Sequence, residues 1–178
     1  MNLAHARSPM KEILLVGVGT ANLQVLRRAA EFHRIGVRLV LVDADENWFY
    51  SGMASEVLSG RYGIADFRVN LRRLAEHCGA HFIHDAVTTV LPEHRRVQTA
   101  AGRTLSYDLA AFAVGTKARE ADQDVPVDGS YPVKPVRNVL EIRNEIESLV
   151  EAGGDRPLAL LVLGGGPSGV EYAANAAA

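Results

Sequence analysis

Two glycine turns carry most of the chemistry available to this chain. The first reads Gly17-Val18-Gly19-Thr20-Ala21-Asn22 and the second Gly164-Gly165-Gly166-Pro167-Ser168-Gly169. Such a turn, set between an apolar strand and a helix, brings backbone close to a phosphate. It also aims the helix's free N–H groups and positive dipole end at the anion. In the full pattern the first glycine makes the tight turn, the second admits backbone to a pyrophosphate and the third lets helix pack on strand. The first turn has two of the three, with Asn22 in the last place; the second has Gly164, Gly166 and Gly169. Asp43 stands at the end of the next apolar run, where a ribose hydroxyl needs an acceptor. The bland readings are a sharp strand–helix turn with a solvated Asp43, and a merely Gly-rich linker at 164–169.

The remaining chemical groups point elsewhere less strongly. Cys78 is the single cysteine, so neither an internal disulfide nor a redox dithiol can form. It reads as a small buried hydrophobe at a helix end. His77, His81 and His84 lie close in sequence, but His81 and His84 at spacing three fall on opposite faces of a strand, and no metal site is expected. No Ser-His-Asp order, kinase phosphate loop or paired-carboxylate motif stands out.

The elements that must hold the turns are legible. "EILLVGV" (12–18) and "VRLVLVD" (37–43) read as buried strands, with "ANLQVLRRAAEFHR" as the helix between them: a βαβ unit and a parallel sheet. "DFRVNLRRLAEHCG" predicts a helix with Asp66 as N-cap and Gly79 as its stop. "AHFIHDA" is a third strand, 87–108 an antiparallel meander, and "LAAFAVGT" a buried strand ending at Gly115. "VRNVLEIRNEIESLVEAGG" predicts an amphipathic helix with Val139, Ile142, Ile146, Leu149, Leu140 and Val150 on one face. "RPLALLVLG" predicts a last strand, followed by a last helix.

Composition sets the limits. Of 178 residues, 48% are hydrophobic, so a core can be buried, and the net charge of −2 offers no basic field for nucleic acid or an anionic membrane. No stretch is long and apolar enough to span a bilayer, and the N-terminus lacks a signal-peptide core. The expectation is a soluble, cytoplasmic-type protein.

Two glycine turns separated by a β meander, a strand ending "AVGT" and a linker helix resemble the flavoproteins with two dinucleotide-binding domains, the FAD-dependent pyridine nucleotide-disulfide oxidoreductases. "YSGMASEVLSGRY", "VNLRRLAEHCGAHFIHDAVTTV" and "PVKPVRNVLEI" resemble the branch of type II NADH dehydrogenases and of the flavoprotein domain fused to selenide, water dikinase. "ASE" at 54–56 replaces that branch's usual "LPG". The resemblance implies an α/β, Rossmann-like FAD-binding domain with a parallel sheet and antiparallel meander. The first strand and helix of a second Rossmann domain would follow. The divisions would be a leader over 1–10, the FAD domain over 11–119, a linker loop and helix over 120–156 and the start of the NAD(P)H domain over 157–178.

The resemblance also implies roles. Gly17, Gly19, Thr20 and Asn22 would face the FAD pyrophosphate, Asp43 and Ala44 the adenosine ribose, and Val87 the adenine. Tyr50, Ser51, Gly52 and Met53 would lie near the flavin, and Gly115 and Thr116 would close over the cofactor. Gly164, Gly166, Pro167, Ser168 and Gly169 would hold NAD(P)H, with Glu171 as a catalytic candidate near the flavin–nicotinamide junction. The implied function is hydride transfer from NAD(P)H to FAD and on to a small-molecule, quinone-like acceptor, in a parent protein that could be peripheral to the membrane. The other reading is a truncated, non-catalytic nucleotide-binding module. Because the chain stops one helix into the second domain, weak turnover is expected of it alone. The apolar strand 158–163 is expected to pack on the FAD-domain sheet or pair with another chain as a homo-oligomer.

Overall fold

A computed structural model describes residues 10–116, 129–154 and 156–177. The expected leader, apart from Met10, and the polar loop over 117–128 lie outside the described residues. The chain divides into two compact units, residues 1–48 with 70–115, and residues 49–69 with 116–178.

The first unit opens with strand β1 (Lys11–Val16), helices α1 (Thr20–Arg27) and α2 (Ala29–Arg34), and strand β2 (Val37–Asp43). The expected single helix over 21–34 is therefore two, with Arg28 between them at ψ 14°. Strand β3 (Asn47–Phe49) and strand β4 (Arg68–Asn70) pair where the chain leaves this unit and returns. Between them, in the second unit, run a 3-10 turn (Ser51–Met53), α3 (Ala54–Leu58) and α4 (Ile64–Phe67). The first unit resumes with α5 (Leu71–Cys78), β5 (His81–His84), the strands β6 (Val87–Leu91), β7 (Arg96–Thr99) and β8 (Thr104–Ser106), and β9 (Leu109–Phe112).

Four parallel strands form the main sheet in the order β5-β2-β1-β9, with Leu14 opposite both Val40 and Ala110. The apolar runs of β1 and β2 are unbroken because both sheet faces are covered. Successive side chains of a strand alternate between faces, and the core divides accordingly. Leu15, Leu39 and Leu41 pack with Leu26, Ala29, Leu71 and Ala75 of the helices. Leu14, Val16, Val40 and Val42 pack with Val97 of the antiparallel β6-β7-β8 meander.

Two local expectations are corrected. Asp66 does not cap a long helix; it sits inside α4 and accepts from the Gly63 N–H at 2.9 Å. The cap of the following helix is Asn70, whose side chain accepts from Arg73 N–H at 2.9 Å. An Asn there satisfies an orphan donor of the first turn, and β4 supplies the extended backbone that an N-cap requires. Gly79 does end α5, at φ 69°, as a left-handed cap.

The second unit packs α3 with two later helices, α6 (Asn138–Gly153) and α7 (Pro167–Ala176), around Ala54, Val57, Phe67 and Val139. Arg143 of α6 donates to the Val57 carbonyl at 3.3 Å, at the C-terminal end of α3, and its Nε donates to Glu147 at 2.7 Å. Only the first half of the apolar stripe on α6 finds a partner: Val139 and Ile142 are buried, while Leu149 and Val150 are exposed. The expected strand over 158–163 is absent. The segment joins none of the sheets among the described residues, and Leu158, Leu160, Leu161 and Leu163 are exposed. A strand is defined by ladder bonds to a neighbour, and apolar sequence without that neighbour does not make one.

Candidate functional site

The order β5-β2-β1-β9 puts a topological switch at β1, with later strands added to either side. Ligands of open parallel sheets bind beyond the C-terminal strand ends at such a point. The first glycine turn lies there. Gly17 has φ 78°, and its N–H continues the sheet by donating to Val42 O at 2.8 Å. A β-carbon at Gly17 would stand 2.5 Å from the Ala113 carbonyl oxygen, and one at Gly19 would stand 2.9 Å from the Ala113 β-carbon. Both glycines are therefore required by the close approach of the chain just past β9. Gly19 is the N-cap of α1, with no side chain bonded across the helix start. The first N–H groups of a helix lack intrahelical partners, which leaves those of Thr20 and its neighbours for an anion.

Asn22 has a different task from the one its place in the pattern suggests. It is 1% exposed, and its amide nitrogen lies within bonding distance of three carbonyls: Gly17 at 2.8 Å, Ala111 at 3.2 Å and Val16 at 3.3 Å. The side chain ties the end of β1, the turn and β9 together. It is committed to the fold, so only its backbone could face a ligand.

Asp43 holds the same turn from the other side. Its Oδ2 accepts from the Val18 N–H at 3.2 Å and its Oδ1 from the Asp45 N–H at 3.0 Å. Burial pushes its carboxyl above the usual range, against the opposing effect of those two donors. Each carboxylate oxygen has a second lone pair, so capacity for a hydroxyl remains. Ala44 is exposed, and its carbonyl lies 3.0 Å from His84 Nε2 at the end of β5.

Val87 begins β6, two residues after a buried carboxylate that sequence reasoning does not mark. Asp85 is 9% exposed. The Thr99 hydroxyl, the Ala101 and Ala86 N–H groups and Arg103 hold it below the usual carboxylate range. Its Oδ1 accepts from Ala86 N–H at 2.9 Å and Ala101 N–H at 3.2 Å, pinning the turn between β7 and β8 to the end of β5. An acid directly after a third apolar strand was the available signal. Gly115 has φ 75°.

The other expected residues belong to the second unit. Tyr50 and the turn Ser51–Met53 precede α3, and the Tyr50 ring lies over Gly52, where a β-carbon would meet it at 2.8 Å. Thr116 accepts from Lys134 Nζ at 2.7 Å, a pairing that nothing in the sequence announces. The second glycine turn is formed: Gly164 has φ 123°, and a β-carbon at Gly169 would stand 1.9 Å from the Gly164 carbonyl oxygen. Gly166 is the N-cap of α7, with Pro167 in the first position and Ser168 exposed after it. Glu171 has an exposed side chain, and its carbonyl accepts from Asn175. Burial raises the neighbouring Tyr172 hydroxyl, and Glu171 adds to that. Among the described residues no cluster of His, Cys, Asp and Glu could hold a metal ion, and no helix is long and apolar enough to cross a membrane.

Comparison with known proteins agrees with this architecture. The alternative NAD(P)H-ubiquinone oxidoreductase C1 of Arabidopsis thaliana is 23% identical over 153 residues, covering 78% of this chain and 30% of the relative. The ferredoxin reductase for the CYP199A2 system of Rhodopseudomonas palustris superposes with a TM-score of 0.73 at 19% identity, over 93% of this chain and 40% of that one. NDH2 of Plasmodium falciparum, in complex with NADH, does so with a TM-score of 0.69 at 18% identity, over 93% and 36%. The chain thus spans well under half the length of these proteins. A family model, the pyridine nucleotide-disulphide oxidoreductases, matches residues 11–178. The chain belongs to the pyridine nucleotide-disulphide oxidoreductase family.

Proposed function

We propose that this chain is the FAD-binding part of an NAD(P)H oxidoreductase. The observation that carries the reading is the turn at the switch point of the sheet. Gly17 and Gly19 are forced small, α1 presents its N-terminus, and Asp43 braces the turn with lone pairs to spare. That donor set suits a pyrophosphate flanked by a ribose. FAD bound there would supply a two-electron acceptor for hydride, which no side chain of this sequence can supply.

The chain's own residues bind and orient. The α1 N–H groups and Thr20 would hold the phosphates, Asp43 would accept from the ribose, and the backbone at Val87 would serve the adenine. Ala44 and Gly115 would complete the enclosure, and in the same reading Thr116 and Tyr50–Met53 of the second unit would serve the cofactor's flavin end. The second turn, with Gly164, Gly166, Pro167, Ser168 and Gly169, suits the pyrophosphate of NAD(P)H, and Glu171 on α7 would serve the nicotinamide end. With one cysteine, electrons leave by a route other than a dithiol on this segment. A quinone-like acceptor is supported by the name of the plant relative.

The test is anaerobic reduction. A flavin-loaded chain should lose its flavin absorbance on addition of NADH or NADPH, and addition of a soluble quinone should restore it. A loaded chain that neither nucleotide bleaches would refute the oxidoreductase part of the proposal.

A further inference from the structure

Asp85, in the first unit, stands between the ribose acceptor and the residue expected to meet the adenine. Its own N–H donates to the Asp43 carbonyl at 2.9 Å. Val87 is two residues on, within about 7.6 Å of Asp85 by Cα spacing alone. The Asp85 carboxylate is buried, and its Oδ1 accepts from the Ala86 and Ala101 N–H groups at 2.9 and 3.2 Å. The Thr99 hydroxyl lies beside it, and Arg103 Nε is 3.9 Å from its Oδ2.

That grip sets the first residues of β6. The Ala100 N–H donates to the Ala86 carbonyl at 2.8 Å, which makes these two a hydrogen-bonded pair. Pairs alternate along an antiparallel ladder, so the next one, Val87 opposite Thr99, is not hydrogen-bonded. The Thr99 N–H agrees with this phase, since it donates on the β8 side, to the Arg103 carbonyl at 3.0 Å. The Val87 N–H and C=O therefore point away from β7. On that side β6 has no neighbouring strand among the described residues. The register shifts directly after Val87, so the rest of the ladder does not impose its phase. A backbone N–H beside a C=O offers one donor and one acceptor. Adenine presents the complement, a ring nitrogen that accepts and an amino group that donates.

We propose that Asp85 is a positioning residue for adenine recognition: by holding the start of β6 at a fixed span from Asp43, it aims the Val87 donor and acceptor at the base. The proposal rests on the reading of the Gly17 turn and Asp43 as the FAD site.

The test is fluorescence titration of the full 178-residue chain with FAD and with the analogue that carries hypoxanthine, a carbonyl in place of the amino group. Wild type should bind FAD about tenfold more tightly than the analogue, the worth of one hydrogen bond. Asp85→Ala should weaken FAD binding about tenfold and bring the two ligands within about twofold of each other. Asp85→Asn keeps an oxygen for the Ala86 and Ala101 N–H groups and should keep the preference. If Asp85→Ala does not fold, Thr99→Val, which removes the hydroxyl beside the carboxylate, should cut the preference to about threefold. A merely structural loss weakens both ligands alike. An unchanged preference in Asp85→Ala, or in Thr99→Val where the alanine variant does not fold, therefore overturns the proposal. Wild-type chain that takes up both ligands equally overturns it too, and leaves the FAD site standing. Wild-type chain that takes up neither overturns the reading beneath it as well.

Discussion

Replacing Asn22 with glycine would complete the fingerprint of the first turn, and the structure predicts that it harms the protein. The Asn22 amide is buried and lies within bonding distance of three backbone carbonyls, the nearest at 2.8 Å and one of them 89 residues away on β9. Its removal strands those buried acceptors, at a cost of about 1–3 kcal/mol. Glycine inside α1 adds about 1 kcal/mol relative to alanine. The expected losses are therefore about 2 kcal/mol for Asn22→Ala and about 3 kcal/mol for Asn22→Gly. In a chain of this size each kcal/mol lowers the melting temperature by roughly 2–4 °C. Urea unfolding followed by circular dichroism measures both variants directly. If Asn22→Gly were as stable as wild type, or more stable, Asn22 would be a neutral stand-in for glycine and the bracing role assigned to it would be wrong.

Other expectations follow from the same geometry. Gly17→Ala places a β-carbon 2.5 Å from the Ala113 carbonyl at φ 78°, and should abolish FAD uptake and lower the melting temperature, both readable by flavin fluorescence and calorimetry. Gly169→Ala meets the Gly164 carbonyl oxygen at 1.9 Å and should distort the second turn; loss of protease resistance around 164–169 with an unchanged parallel-sheet signature would show it. Asp43 has a folded-state carboxyl raised by burial, so the folded chain holds its proton to higher pH than the unfolded chain does. Its contribution to stability should fall as pH rises from the ordinary carboxylate range through the raised value. Asp43→Asn should remove that part of the pH profile in urea unfolding, and a profile unchanged by the substitution would contradict the assignment.

The parallel sheet was legible in the sequence because both of its faces are covered, which leaves β1 and β2 as unbroken apolar runs. The meander was legible because short β runs there are broken at Pro92 and Gly102. What failed depended on partners. Leu158–Leu163 has the composition of a buried strand, but ladder bonds come from a neighbour, and none appears among the described residues. Asp66 and Asn70 are both good caps by type. The choice between them was made by the β3–β4 pairing, which straightens the chain at Arg68–Asn70. At the site, the glycines and Asp43 were legible from spacing. The task of Asn22 was not, because one of its acceptors lies on β9. The Lys134–Thr116 bond, across 18 residues, has no sequence signature either.

The central claim is that the Gly17 turn holds the phosphates of FAD. Equilibrium titration of the flavin-free chain with FAD, beside Asp43→Ala, tests it most directly. The account predicts saturable one-to-one uptake with a change in flavin fluorescence, and an affinity weakened about tenfold or more when the Asp43 acceptor is removed. Absence of FAD binding by wild-type chain, or equal binding by the two proteins, would contradict it.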